Sequence, residues 1–262
     1  MSRDTRTPTP EDLGIAPETP ETEGYIEIEV KIVHTKSEHS TPEGLQKKIE
    51  ALGGTLEIPR RMLEDVSFRR EKKATREART YILTLKDFKN QQGLERVLSL
   101  LGLKILRRDG NEIAVHTSGG SMPKRTVRLR RDGEQFVWGV KEPREEGKKF
   151  DERREEEVSV IRPRAVEEIL NALGYTRDTE RQKYRSTFRL DKTLVELNEG
   201  PKAPPWIEVE GDSAQKATSQ DVFDTVDRLG YAKSDTAAIS DADYYRMHGV
   251  NDEELRNLKF SQ

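Results

Sequence analysis

Glu27-Ile28-Glu29-Val30-Lys31 is the stretch on which the reading of this chain turns. Side chains alternate along an extended strand, so Glu27, Glu29 and Lys31 share one face while Ile26, Ile28, Val30 and Ile32 share the other. A single strand of this kind could be any amphipathic edge with a solvated side. The pattern recurs, however: Glu155 and Glu157 alternate with Glu156, Val158 and Val160, and Glu208 and Glu210 alternate with Ile207 and Val209. Basic residues follow the same rule. Arg128 and Arg130 alternate with Val127 and Leu129, Lys141 with Phe136, Trp138 and Val140, and Lys183 and Arg185 with Tyr184 and Phe188. Each of these strands has an apolar face and a densely charged one. Rows of like charge repel across neighbouring strands, so something must offset them. Divalent cations answer the acids and a polyanion answers the bases, which points to a metal-bound phosphorylated ligand inside a curved or closed sheet.

Composition narrows the class. The chain has 262 residues, 32% hydrophobic and 36% charged, with a net charge of -3. That length supports a sizeable core, and the high charge suits a fold that gives one sheet face to ions. A near-balanced charge argues against a general nucleic-acid binder, which gathers a basic excess on one surface. With no cysteine, disulfides, thiolate metal sites and cysteine nucleophiles are excluded. No apolar run approaches membrane-spanning length, and no signal-peptide core is present. The expectation is a soluble cytoplasmic protein without nucleic-acid or membrane partners. His34, His39, His116 and His248 share no metal-ligand spacing.

Residues 1–23, rich in Thr, Pro and Glu, are expected to be a disordered leader. The remainder, 24–262, reads as one domain. Thr41-Pro42-Glu43 marks a helix start, Leu45, Ile49 and Leu52 follow at helical spacing, and Gly53-Gly54 ends it. Two further segments repeat the theme of a paired-acid strand leading to a helix that ends in Leu-Gly: one runs to Gly174 and one to Gly230. In the first two copies a base-rich strand lies beyond the helix. A closed antiparallel sheet with helices on its outer apolar face satisfies both faces of every strand. The segment at about 71–124 fits the repeat less well and reads as an insertion, with a strand at Tyr81–Lys86, a helix at Leu94–Leu101, a hairpin around Asp109-Gly110-Asn111, and a joint at Ser118-Gly119-Gly120-Ser121. The tail from Asp241 to Leu258 reads as one or two helices docked on the barrel.

The ordered series Glu27-x-Glu29-x-Lys31, Arg128-x-Arg130, Lys141, Arg153-x-Glu155-x-Glu157, Lys183-x-Arg185, Glu196 and Glu208-x-Glu210 resembles the CYTH superfamily of triphosphate tunnel metalloenzymes. That group takes in class IV adenylate cyclases, thiamine triphosphatases and inorganic triphosphatases. The resemblance runs from about Tyr25 to Tyr245 and implies an α+β fold, an eight-stranded antiparallel β-barrel with helices outside. It implies that Lys31, Arg128, Arg130, Lys141, Lys183 and Arg185 grip a triphosphate-bearing small molecule or polyphosphate. Glu208 and Glu210, with Glu196 or Asn198, would be the principal ligands of Mg²⁺ or Mn²⁺. Glu27, Glu29, Glu155 and Glu157 would complete the acidic end or hold a second ion, some of these carboxylates pairing with arginines instead. Glu27, Glu29 and Lys31, the hallmark strand, carry the implied catalysis. The chain departs from the pattern in its long insertion and in lacking an evident basic residue on its last helix, for which Lys233 is one candidate.

Metal-dependent hydrolysis of a triphosphate is the reading these residues favour. An adenylate cyclase making cyclic AMP and pyrophosphate is the alternative, and a non-catalytic polyphosphate or nucleotide sensor a second. Two expectations accompany the favoured reading. Glu208 and Glu210 should both tolerate Gln without loss of fold, and truncating Arg128 or Arg130 should relieve repulsion in a ligand-free basic tunnel and leave the melting temperature unchanged or raised.

Overall fold

The computed structural model describes residues 25–70, 79–117, 125–142 and 151–261. The expected leader and the Ser118–Ser121 joint lie outside them. In chain order the strands are β1 (Tyr25–Ile32), β2 (Thr55–Arg70), β3 (Arg79–Thr84), β4 (Leu103–Asp109), β5 (Glu112–Thr117), β6 (Thr126–Asp132), β7 (Gln135–Lys141), β8 (Asp151–Val160), β9 (Tyr175–Leu190), β10 (Thr193–Glu199), β11 (Trp206–Gly211), β12 (Thr236–Ala237) and β13 (Asn257–Leu258). The helices are α1 (Pro42–Ala51), α2 (Gln91–Leu100), α3 (Pro163–Ala172), α4 (Ser219–Arg228), α5 (Asp241–Met247) and α6 (Asp252–Arg256).

Eight strands close into an antiparallel barrel in the order β10-β11-β1-β8-β7-β6-β2-β9, with β9 pairing back onto β10. Closure removes the edges that an open sheet of this width would expose. The period-two pattern turns the apolar residues outward. Leu129, Trp138, Val140 and Val158 pack under α2 and α3 through Leu94, Leu98, Val166 and Leu170, while Val30, Phe188, Val195 and Val209 pack under α1 and α4 through Leu45, Ile49, Val222 and Val226. Full burial of each such aliphatic side chain contributes about 1.5–3 kcal/mol. This outer layer, not the barrel interior, is therefore the source of most of the stability.

Local signals set the helix ends. The Thr41 hydroxyl accepts from the Gly44 amide, Pro42 occupies the first turn, and Gly53 leaves α1 with φ 90°, a conformation that favours glycine. Thr218 and Asp221 form a capping box at the start of α4. β3, β5 and β4 form a separate three-stranded sheet. Its Leu83, Leu103, Ile113 and Val115 join the core beneath α2, so this part of the proposed insertion packs on the barrel's outer face.

The third apolar cluster sits at one end of the barrel. Trp206 opens β11 on the same face as Glu208 and Glu210, and its ring packs at a tilt 4.9 Å from Tyr244 and edge-on 5.7 Å from Tyr245 of α5. Val250, Leu255 and Leu258 complete the cluster. Thus α5 and α6 cover that end. No helix among the described residues is long and apolar enough to cross a membrane.

Candidate active site inside the barrel

The sheet register sets which charges meet. Lys31 stands opposite Glu208, Glu29 opposite Glu210, Glu196 opposite Glu208, Asn198 opposite Arg185, Lys141 opposite Glu155, and Asp65 opposite Arg130. Lys31, Lys141 and Arg130 thus each face an acid on the next strand, and Arg185 faces the Asn198 amide. The barrel is consequently lined by ion pairs, which sort into two connected groups.

The group at the α5 end centres on Glu208, 4% exposed. Its Oε1 accepts from Lys31 Nζ and from Trp206 Nε1 at 3.2 Å, and its Oε2 from Arg185 Nη2 at 2.8 Å and Asn198 Nδ2 at 3.0 Å. Arg185 also pairs with Glu196 at 2.6 Å and donates from Nε to Asn198 Oδ1 at 2.9 Å. Asp241 bridges Lys31 at 3.0 Å and Lys183 at 2.9 Å. Burial opposes ionisation of Glu208, but Lys183, Lys31 and Arg185 outweigh it and hold the carboxyl well below its usual range. In Lys31 burial is likewise outweighed by Glu208 and Asp241, so its pKa rises. Lys183 goes the other way, pushed down by burial and by the adjacent Arg185. Burial raises Glu196 against the pull of Arg185.

The second group centres on Lys141, whose Nζ lies 2.6 Å from Glu27 and 2.7 Å from Glu155. Arg128 reaches Glu155 at 3.2 Å and Glu157 at 3.0 Å. Arg130 grips Asp65 with two bonds, Nε to Oδ1 at 2.8 Å and Nη2 to Oδ2 at 3.1 Å. Two neighbouring carboxyls divide here: burial lifts Glu27 well above the ordinary range despite Lys141, whereas in Glu155 burial is overcome by Lys141 and Arg128 and the value falls to about 2.

Gly139 makes room for this group. It faces Arg128 on one side and Glu157 on the other, and a Cβ there would sit 3.1 Å from Glu157 Oε1 and 3.6 Å from Glu155 Oε1. Both are ends of flexible side chains, so Gly139→Ala should be absorbed by a shift of Glu157. Gly139→Leu should instead fill the space over Arg128 and Glu155 and cost on the order of 10²-fold in tripolyphosphate affinity, measured by titration calorimetry. Equal affinity in the Leu variant would show that this part of the barrel does not meet the ligand.

All the acids and bases read from the sequence as site residues line one interior. Asp65 and Asp241 join them without having been read as part of it. Lys233 does not: its Nζ lies 4.4 Å from the centroid of the outward-packed Phe223 ring. Among the described residues no three acidic or histidine side chains form a preset cation cage.

Residues 121–239 match the model of the CYTH domain, a span that carries β6 through β11. No curated protein matches the chain. Solved structures share its fold at low identity. A protein of Pyrococcus horikoshii is 20% identical with a TM-score of 0.50, over 80% of this chain and 93% of that one. A conserved hypothetical protein of Pyrococcus furiosus is 13% identical at 0.52, over 83% and 99%, and a candidate adenylate cyclase of Vibrio parahaemolyticus is 13% identical at 0.53, over 86% and 99%. The matched segment contributes the charged rows from Arg128 to Glu210, and the eight strands close around them, so over residues 121–239 the chain is similar to the CYTH domain and it shares the fold of these structures.

Proposed function

We propose that the protein binds a triphosphate inside the barrel and hydrolyses it with the help of a divalent cation. The observation that carries this reading is the convergence of Lys31, Arg128, Arg130, Lys141, Lys183 and Arg185, from four strands, on one enclosed interior. Arginine supplies paired donors to phosphate oxygens and lysine a compact charge. Each base is already held by a carboxylate, so a phosphate chain would exchange these partners without having to assemble the grip.

The donor set fits Mg²⁺ or Mn²⁺ arriving with the substrate. Small hard cations are commonly held by one or two carboxylates plus phosphate oxygens and water, not by an all-protein cage. Glu29 and Glu210, half-buried and opposed in register, suit that role. The oxygens of Glu208 are already engaged by four donors, which makes it a positioning residue for Lys31 and Arg185. A bound cation would neutralise phosphate charge and acidify a water. Glu27 is the carboxylate we assign to accept a proton from that water, because burial raises its proton affinity above that of an ordinary carboxylate.

A panel of tripolyphosphate, ATP and thiamine triphosphate with Mg²⁺ or Mn²⁺, resolved by chromatography, tests the reading. Tripolyphosphate should be cleaved fastest, since the lining bases supply binding energy to the phosphate chain and none of the identified residues is assigned to a purine. Cyclic AMP formed with pyrophosphate, faster than tripolyphosphate is cleaved, would replace hydrolysis by cyclisation.

A further inference from the structure

One acid in the barrel comes from outside its wall. Asp241 opens α5 and reaches inward so that Oδ1 lies 3.0 Å from Lys31 Nζ and Oδ2 lies 2.9 Å from Lys183 Nζ. Dividing two oxygens between two ammonium groups is how a phosphoryl group would sit between them. Arg181, two residues before Lys183 on β9, adds a third positive charge to the same corner, and its Nη1 is buried without a hydrogen-bond partner. The corner therefore presents more donors than Asp241 uses.

Asp241 is not on a swinging arm. Ser240 and Asp243 form a capping box that fixes the first turn of α5. Three residues on, Tyr244 and Tyr245 are 1% and 2% exposed against Trp206 and its neighbours. The carboxylate is thus anchored at the covered end of the barrel, in reach of two of the six bases assigned to the phosphate grip.

We propose that Asp241 is a specificity-determining residue, a resident anion that occupies the α5 end of the grip and sets how far a phosphate chain can enter. The inference rests on the triphosphate reading above and adds a limit to it. Arg185, Arg130, Arg128 and Lys141 are the four bases of the grip that no ion pair among the described residues ties to Asp241, and they hold a chain that stops short of it, with Lys31 and Lys183 at its inner end. One more phosphoryl group would have to approach Lys31 and Lys183, where it meets a fixed negative charge.

The test is calorimetric binding of tripolyphosphate and tetrapolyphosphate to the full chain in metal-free buffer with chelator, so that no turnover intervenes. Wild type, Asp241→Asn and Asp241→Ser are compared, the Ser variant keeping a residue well suited to a helix start should Asn impair folding. Removing the charge should raise tetrapolyphosphate affinity by roughly tenfold or more relative to tripolyphosphate, as expected for a unit charge a few ångströms from the added group in a partly screened interior. Parallel weakening of both ligands would overturn the inference by showing that Asp241 merely orients the lysines. Unchanged affinities, or equal tightening of both, would overturn it as well. Failure of the wild type to bind tripolyphosphate is a separate result, read before any variant, and would remove the triphosphate reading and this inference together.

Discussion

Glu208→Gln is expected to lower folding stability by about 3–5 kcal/mol, the usual consequence of removing one partner from a buried ion pair, and to abolish triphosphate binding. The two effects share a cause. Three acids, Glu196, Glu208 and Asp241, are ion-paired with three bases, Lys31, Lys183 and Arg185, at the α5 end. An amide removes one unit of negative charge and leaves a positive excess in a buried site. It also turns an NH₂ group towards donors that now find an acceptor on only one side. Lys31 and Arg185 would leave their present positions, and the grip they belong to would go with them.

Chemical denaturation of wild type and variant at several pH values checks the first effect. The depressed pKa of Glu208 sets the sign: its contribution is complete above the ordinary carboxylate value of about 4.3 and is lost as pH falls through the lower folded value. The gap between wild type and variant should therefore be wide at pH 7 and narrow progressively in acid. A variant with the wild-type denaturation midpoint at pH 7 would show that the network is energetically neutral.

Much of the barrel is legible in the sequence because its signal is strictly local. The alternation in Glu27–Lys31, Arg128–Arg130 and Glu208–Glu210 assigns each side chain to a face before any partner is known, and Thr41-Pro42 marks α1 in the same way. What the local signal hides is which strand lies next to which. Like-charge rows looked as though they needed an external counter-ion, yet the register sets Arg130 against Asp65 and Lys31 against Glu208. The expectations that Gln at Glu208 spares the fold, and that truncating Arg130 relieves repulsion, reverse for this reason. Asp65 escaped notice because its neighbours on the same face of β2, Leu63 and Ser67, carry no charge, so no paired-charge row marks it. Asp241 reads as an ordinary acid in a first helical turn; only the docking of α5 on Trp206 brings it to Lys31 and Lys183.

Asp65→Asn should separate what stabilises the ligand-free barrel from what the barrel is built to bind. Asp65 is 8% exposed, accepts two bonds from Arg130, and lies 3.8 Å from Arg128. Burial opposes its ionisation, but Arg130 and Arg128 keep its pKa well below the ordinary value, so the charge is present at neutral pH. Removing it leaves Arg130 without its bidentate partner, and Arg128 with Glu155 and Glu157 alone. The expected cost is again about 3–5 kcal/mol, seen as a lower melting temperature without ligand. Binding should move in the opposite direction, because a guanidinium freed from a carboxylate no longer has to exchange partners to hold a phosphate. Saturating tripolyphosphate, which stabilises in proportion to RT ln(1 + [L]/Kd), should then restore more melting temperature to Asp65→Asn than it adds to the wild type. If the variant melts lower and tripolyphosphate rescues it no better than wild type, Arg130 is a structural partner of Asp65 and not part of the phosphate grip.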